Sequence, residues 1–242
     1  MEQPRVPEQA GVPVGRRVVL GMLGLGAAGV LTGKWLQDAE QRVLATVGTR
    51  DPTGLTQFVP AGTGFRFYSV TGSTPRRTEA NYRLAVTGLV DRPRTFTLAD
   101  LRAMPRTDLV RDFQCVTGWR VPDVPWSGVA LPDLLDVVGV APAATAVHFT
   151  SFDGTYTESL TLEQARRRDV LVATDMLGAP VTAAHGGPVR LYVAPMYGYK
   201  SLKWLGGIEL TPSVRTGYWE AYDYDVDAWI GRSNGRDDEP VG

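Results

Sequence analysis

Apolar and polar residues alternate over Tyr82-Arg83-Leu84-Ala85-Val86, the period of a strand with one buried face. Leu109, Val110 and Phe113 make a second strand-like run. Ala146 to Leu160 reads as a hairpin: Val147 and Phe149 alternate, Asp153-Gly154 is a tight-turn pair, and Tyr156 opens the return strand. Val170-Leu171-Val172-Ala173 and Val189-Arg190-Leu191-Tyr192-Val193 predict buried strands, and Leu205 to Leu210 begins the last one. Between them lie short helical signals. Thr97 is an N-cap candidate for a helix over Phe96 to Leu101. Pro132 to Val138 predicts a helix opening with proline at its first position. Thr161-Leu162-Glu163-Gln164 is a capping-box pattern that starts a helix through Arg168. Gly88 to Pro93 and Met176 to Pro180 are turns. Strands and short helices mixed along the chain predict an α+β domain.

Composition sharpens this picture only in places. The chain has 242 residues, 43% of them hydrophobic, enough for one packed domain with flanking segments. Its 27 glycines and 17 prolines favour turns and short elements over long helices. A net charge of −1 without a basic stripe excludes a nucleic-acid partner, and Arg166-Arg167-Arg168 reads as a solvated helix end. One cysteine rules out zinc–cysteine spacing, and two histidines suggest no Ser-His-Asp set. Residues 1–15 are polar and expected to be disordered. Arg16-Arg17 precedes an uncharged run to Gly33, so 16–33 is expected to be a twin-arginine-like signal or a membrane anchor. Gly15 stands where that signal commonly has serine or threonine. A helical spacer and turn-rich linker are expected over 34–59, the folded domain over 60–215, and an aromatic, acidic tail over 216–242. The tail's Tyr218, Trp219, Tyr222, Tyr224 and Trp229 are expected to pack over the domain.

Cys115 is the only cysteine, so it forms no internal disulfide and is either inert filling or a reactive or ligating thiol. It follows a strand-like run and precedes Gly118, and a strand ending at a glycine-bearing turn presents a side chain to a cleft. Arg190 lies in an apolar strand, and a buried arginine implies an anion. His185, Lys200 and Lys203 have bland readings by themselves: a surface-loop histidine and exposed strand-end charges.

Two long motifs carry a resemblance. One is Cys115-Val116-x-x-Trp119 with Val121-Pro122-x-x-Pro125-Trp126-x-Gly128-Val129-x-Leu131-x-x-Leu134-Leu135. The other is His185-Gly186-Gly187-Pro188-Val189-Arg190-Leu191 followed by Pro195-Met196-Tyr197-Gly198-Tyr199-Lys200-Ser201-Leu202-Lys203-Trp204. In this order they resemble the sulfite oxidase family, nearest its protein-methionine-sulfoxide reductase branch. The resemblance implies a molybdopterin-binding fold with mixed sheets and short helices. It implies one mononuclear molybdenum held by molybdopterin, with the Cys115 thiolate as the metal's protein ligand, a soft donor suited to it. The residues it implies for the cofactor are Tyr68, Ser69, Ser151, Asp153, His185, Arg190, Ser201, Lys203 and the backbone of Leu202.

The same resemblance points two ways on substrate. Trp119, four residues after Cys115, matches the methionine-sulfoxide branch, whose substrate is neutral. Arg120, five residues after Cys115, leaves sulfite open, and His185 stands where the sulfite-oxidising branch has histidine. The preferred expectation is oxo transfer, the reduction of an S-oxide, on the outer face of a membrane. Sulfite oxidation, or an envelope-anchored anion-binding module without catalysis, is the alternative. No haem-binding segment precedes Cys115, so electrons are expected to pass through a separate partner such as a membrane cytochrome.

Overall fold

The computed structural model describes Phe65, Ser69, Val70 and residues 72–231. The expected signal or anchor, the spacer and Tyr68 lie outside the described residues. Among the described residues no helix is long and apolar enough to cross a membrane.

Two five-stranded sheets form the body. The first runs β2-β1-β10-β5-β6, with β1 Leu84–Gly88, β2 Arg94–Phe96, β5 Ala146–Ser151, β6 Thr157–Thr161 and β10 Leu205–Thr211. Only β1 and β10 pair in parallel there; its other neighbours are antiparallel. The second sheet is antiparallel: β3 Thr107–Gln114, β4 Arg120–Ala130, β7 Val170–Met176 and β8 Ala179–Pro180 follow in order, and β9 Arg190–Val193 also pairs with β7. Short helices α1 (Leu98–Ala103), α2 (Leu131–Val138) and α3 (Leu162–Ala165) join the strands.

Apolar patterning explains why the second sheet is buried on both faces at β7 and β9. On β7, Val170 and Val172 enter the large core with Leu84, Val147, Phe149 and Ile208 of the first sheet. Leu171 and Ala173 point the other way, into a smaller cluster with Val124, Trp126 and Tyr192. Successive strand residues face opposite sides, so two covered faces demand an unbroken apolar run. Arg190 shares its face with Tyr192 and so points toward the smaller cluster. That single parity places a cation under the cleft described below.

Two local expectations shift, and one strand was not foreseen. Leu131 rather than Pro132 opens α2, so the proline sits one position further in, where its missing N–H is still an orphan. The capping box at Thr161 and Gln164 is present, yet α3 ends at Ala165 rather than Arg168. Arg166 leaves helical geometry, and each of the three arginines reaches a separate aspartate: Asp136, Asp169 and Asp133. The long strand β4 was not legible, because Pro122 and Pro125 argue against a strand. A register shift between Arg111 and Phe113 accommodates the pairing.

Candidate molybdopterin site

Cys115 sits at the tip of the β3–β4 hairpin. Its amide donates to Trp119 O (2.9 Å) and Gly118 N donates back to Cys115 O (3.0 Å). Gly118 has φ 96°, a left-handed conformation that a side chain resists. This tight turn turns the thiol outward, half-buried, with Thr117 Oγ1 donating to Sγ at 3.2 Å.

The thiol opens into a cleft of about 240 Å³. One wall is aromatic: Phe65, Phe113 and Trp119, with ring centroids 5.4 to 6.5 Å apart. Gly198 lies flat on Phe113; an added Cβ would fall 2.4 Å from its ring. Tyr156, Tyr199, Trp204, Trp219 and Tyr224 line the cleft too. Asp153, Ser69, His185, Arg190, Ser201, Leu202 and Lys203 also line it.

Basic groups dominate the polar part of the cleft. Arg190 is only 2% exposed, and no carboxylate among the described residues pairs with it. Its Nη1 donates to His185 O (2.8 Å) and Nη2 to Ser201 O (2.9 Å), while the guanidinium lies 5.3 Å from the Trp126 ring centroid and 5.6 Å from that of Phe113. Burial pushes its pKa down to about 10. Lys203 donates to Ala184 O at 3.3 Å and stands 5.6 Å from the Trp204 ring centroid. Burial first, and then the Arg190 charge, lower it to about 7. His185 falls to about 4 by burial, then by Arg190 and Lys203, so its imidazole is neutral at pH 7. Burial lowers all three basic groups, the Arg190 charge lowers Lys203 and His185 further, and Lys203 adds to the shift of His185, the electrostatic signature of a place that takes an anion.

Of the residues singled out from sequence, Cys115, Ser69, Asp153, His185, Arg190, Ser201, Leu202 and Lys203 all meet in this one cleft. Ser201 Oγ accepts from Val193 N (2.9 Å), which leaves its O–H to donate. Leu202 contributes little backbone: its amide donates to Lys200 O and its carbonyl accepts from Leu191 N. Ser151 does not line the cleft. It is 2% exposed, and its hydroxyl donates to Asp153 Oδ1 (2.5 Å) and accepts from Tyr156 N (3.0 Å), fixing the turn that carries Asp153. Lys200 is no exposed charge: it is fully buried, bonded to Glu158 and Glu220. Trp219 and Tyr224 went unassigned to the site, although the density of aromatic residues just after the last strand was a usable signal. Residues 217–230 lie on the body, with Ala228 and Ile230 in the large core.

The donor set fits a pterin-held molybdenum. A half-buried thiol stands at one point of the cleft, and a cationic, hydrogen-bonding floor suits a phosphate and a polar ring system. Arg190's charge, met by no carboxylate among the described residues, fits an anionic group in the cleft.

Comparison with known proteins agrees. Residues 71–219 match the family described as oxidoreductase molybdopterin binding domain. The chain is 35% identical over 162 residues to an uncharacterized oxidoreductase, YuiH, of Bacillus subtilis, covering 66% of this chain and 81% of that one. It is 31% identical to the sulfite oxidase of Arabidopsis thaliana (60% of this chain, 46% of that one). It is 28% identical to the protein-methionine-sulfoxide reductase catalytic subunit MsrP of Campylobacter jejuni (59% and 53%). The chain thus spans only about half the length of these last two. The sulfane dehydrogenase SoxCD of Paracoccus pantotrophus shares the fold, with a TM-score of 0.55 at 23% identity over 59% of this chain and 41% of that one. With its matched segment covering more than half the chain and its cleft built around Cys115, this protein belongs to the oxidoreductase molybdopterin-binding family, with the sulfite-oxidase-type fold and a molybdenum–molybdopterin cofactor.

Proposed function

We propose that this protein reduces an S-oxide, methionine sulfoxide being the type substrate, by oxo transfer at a molybdenum held by Cys115. When bound, the cofactor supplies the two-electron couple and takes up the oxygen. In balance, the sulfoxide gains two electrons and two protons and gives the thioether and one water, the electrons coming from a separate carrier protein. Arg190, Lys203, Ser201 and Asp153 hold the cofactor's phosphate and pterin; His185, neutral at pH 7, offers a hydrogen bond without a charge. Phe65, Phe113 and Trp119 leave an uncharged, water-poor face beside the thiol. Such a face admits a neutral sulfoxide and its alkyl arms.

The observation that carries the choice is the state of Arg120. The cation that kept sulfite open is tied to Asp112 Oδ2, and it does not line the cleft. Asp112 is itself held: Oδ1 accepts from Asp123 N (2.9 Å) and its carbonyl from Tyr192 OH (2.7 Å). Supporting this reading, protein-methionine-sulfoxide reductase subunits are among the similar proteins, although a sulfite oxidase is as well. The basic pair Arg16-Arg17 fits export of the folded, cofactor-loaded chain.

The test uses cofactor-loaded protein with reduced benzyl viologen as donor and free methionine sulfoxide as substrate. The proposal expects dye oxidation that depends on the sulfoxide and yields methionine. Sulfite-dependent reduction of ferricyanide, faster than any sulfoxide reduction, would overturn it.

A further inference from the structure

Behind the cleft lies a group of charges that the cofactor does not use. Lys200 Nζ bonds Glu158 Oε1 at 2.6 Å and Glu220 Oε1 at 2.5 Å. Lys200 and Glu158 are fully buried and Glu220 nearly so. The three come from three separate parts of the chain, and each part also supplies a cleft wall. Glu158 is on β6, two residues from Tyr156. Lys200 lies between Tyr199 and Ser201. Glu220 follows Trp219 and precedes Tyr224. All five neighbours line the cleft. Further bonds tie the same segments together: Gly217 N to Glu220 Oε2 (2.6 Å), Tyr218 N to Thr157 O (2.9 Å) and Tyr156 OH to Tyr199 O (2.7 Å).

Two carboxylates share one ammonium. Fully ionised, the cluster would bury a net negative charge, which costs several kcal/mol. Glu158 Oε2 is also buried without a hydrogen-bond partner, an unfavourable setting for an ionised oxygen.

We propose that the Glu158–Lys200–Glu220 cluster is a positioning element of the cleft, joining three of its walls while holding one proton more than three fully ionised side chains would. Loss of that proton leaves an uncompensated buried charge, and the segment carrying Trp219 and Tyr224 loosens from β6. The inference rests on the cleft being where cofactor and substrate meet, and adds a residue set that acts only through the walls.

The electrostatics agree in direction. Burial, and then the Glu220 charge against the opposing Lys200, raise Glu158 from 4.5 to about 8. The other titratable groups facing the cluster are Tyr156, Tyr199 and Tyr218, with His148 toward Glu220. Burial raises Tyr156 well above its usual range and lowers His148, so neither supplies a titration near pH 8. Lys203 titrates near 7 in the cleft itself, and a variant of the cluster leaves that transition in place.

The test compares loaded wild type with Glu158→Gln, whose amide keeps a bond to Lys200 without the charge. KM and kcat for methyl p-tolyl sulfoxide are followed from pH 7 to 9, with protease cleavage within 212–231 as a second readout. Wild type is expected to show KM rising about threefold with kcat within about twofold, and faster cleavage at the higher pH. Glu158→Gln should keep only the Lys203 transition near pH 7 and lack the further rise in KM and in cleavage above it. Should Glu158→Gln not fold, Glu220→Gln sheds the same charge and takes its place. Superimposable pH profiles for wild type and variant overturn the proposal. If no sulfoxide is reduced, the substrate reading falls and the cleavage comparison alone decides the clamp.

Discussion

Arg190 and Lys200 are both cations withdrawn from water, at 2% and 0% exposure, yet the chain treats them oppositely. Lys200 is met by two carboxylates within 2.6 Å. Arg190 is met by the carbonyls of His185 and Ser201 and by the faces of Phe113 and Trp126. Carbonyl oxygens and ring quadrupoles orient a guanidinium but do not cancel its charge. Arg190's charge is therefore left uncancelled by any carboxylate among the described residues, whereas the charge of Lys200 is consumed in holding the fold. Burial alone does not make a site; burial without a counter-charge does.

The comparison can be broken most severely at the thiol that shares the cleft with Arg190. Cys115→Ser should reduce turnover to background with unchanged circular dichroism, because it removes the soft donor and nothing from the core. Activity near wild type would remove Cys115 from its role. Next in size, Lys200→Met should destabilise the apo-protein by about 3–5 kcal/mol in urea unfolding, since it strands two buried carboxylates. A smaller, pH-dependent effect belongs to Lys203. Its folded pKa of about 7 lies below its usual 10.5, so between those values the unfolded chain binds more protons than the native one. Its share of apo-protein stability therefore increases as pH rises through that window. Thermal melts from pH 9 to 10, above the opposing Glu158 transition near 8, should show this increase in wild type and a flatter profile in Lys203→Met. The smallest effect is expected off the cleft: Arg120→Ala should leave KM for the sulfoxide within about twofold, as its charge is already spent on Asp112. A large rise in KM would bring Arg120 back to the substrate.

Much of this was legible in the chain. Thr97 and Thr161 marked helix starts because capping chemistry is local, and both boxes form, with Asp100 and Gln164 closing them. The runs at Val170 and Val189 marked strands because two buried faces leave no polar position apart from Arg190. Cys115, Arg190 and Lys203 were found from motif order and meet in one cleft. What the chain hid depends on distant partners. Lys200 looked exposed because Glu158 and Glu220 lie 42 and 20 residues away in sequence. Ser151 looked like a ligand donor because its use in the turn around Asp153 needs the hairpin's register. Strand β4 was masked by two prolines whose neighbours supply the pairing.

The proposed cofactor site depends on Arg190's charge being reserved for the cofactor. The decisive quantity is molybdenum and pterin per folded chain in Arg190→Met beside wild type, both made in a host that synthesises molybdopterin. One of each is expected in wild type, and a loss of about tenfold or more in the variant, with the apo-fold retained. Full occupancy in Arg190→Met would contradict that reservation.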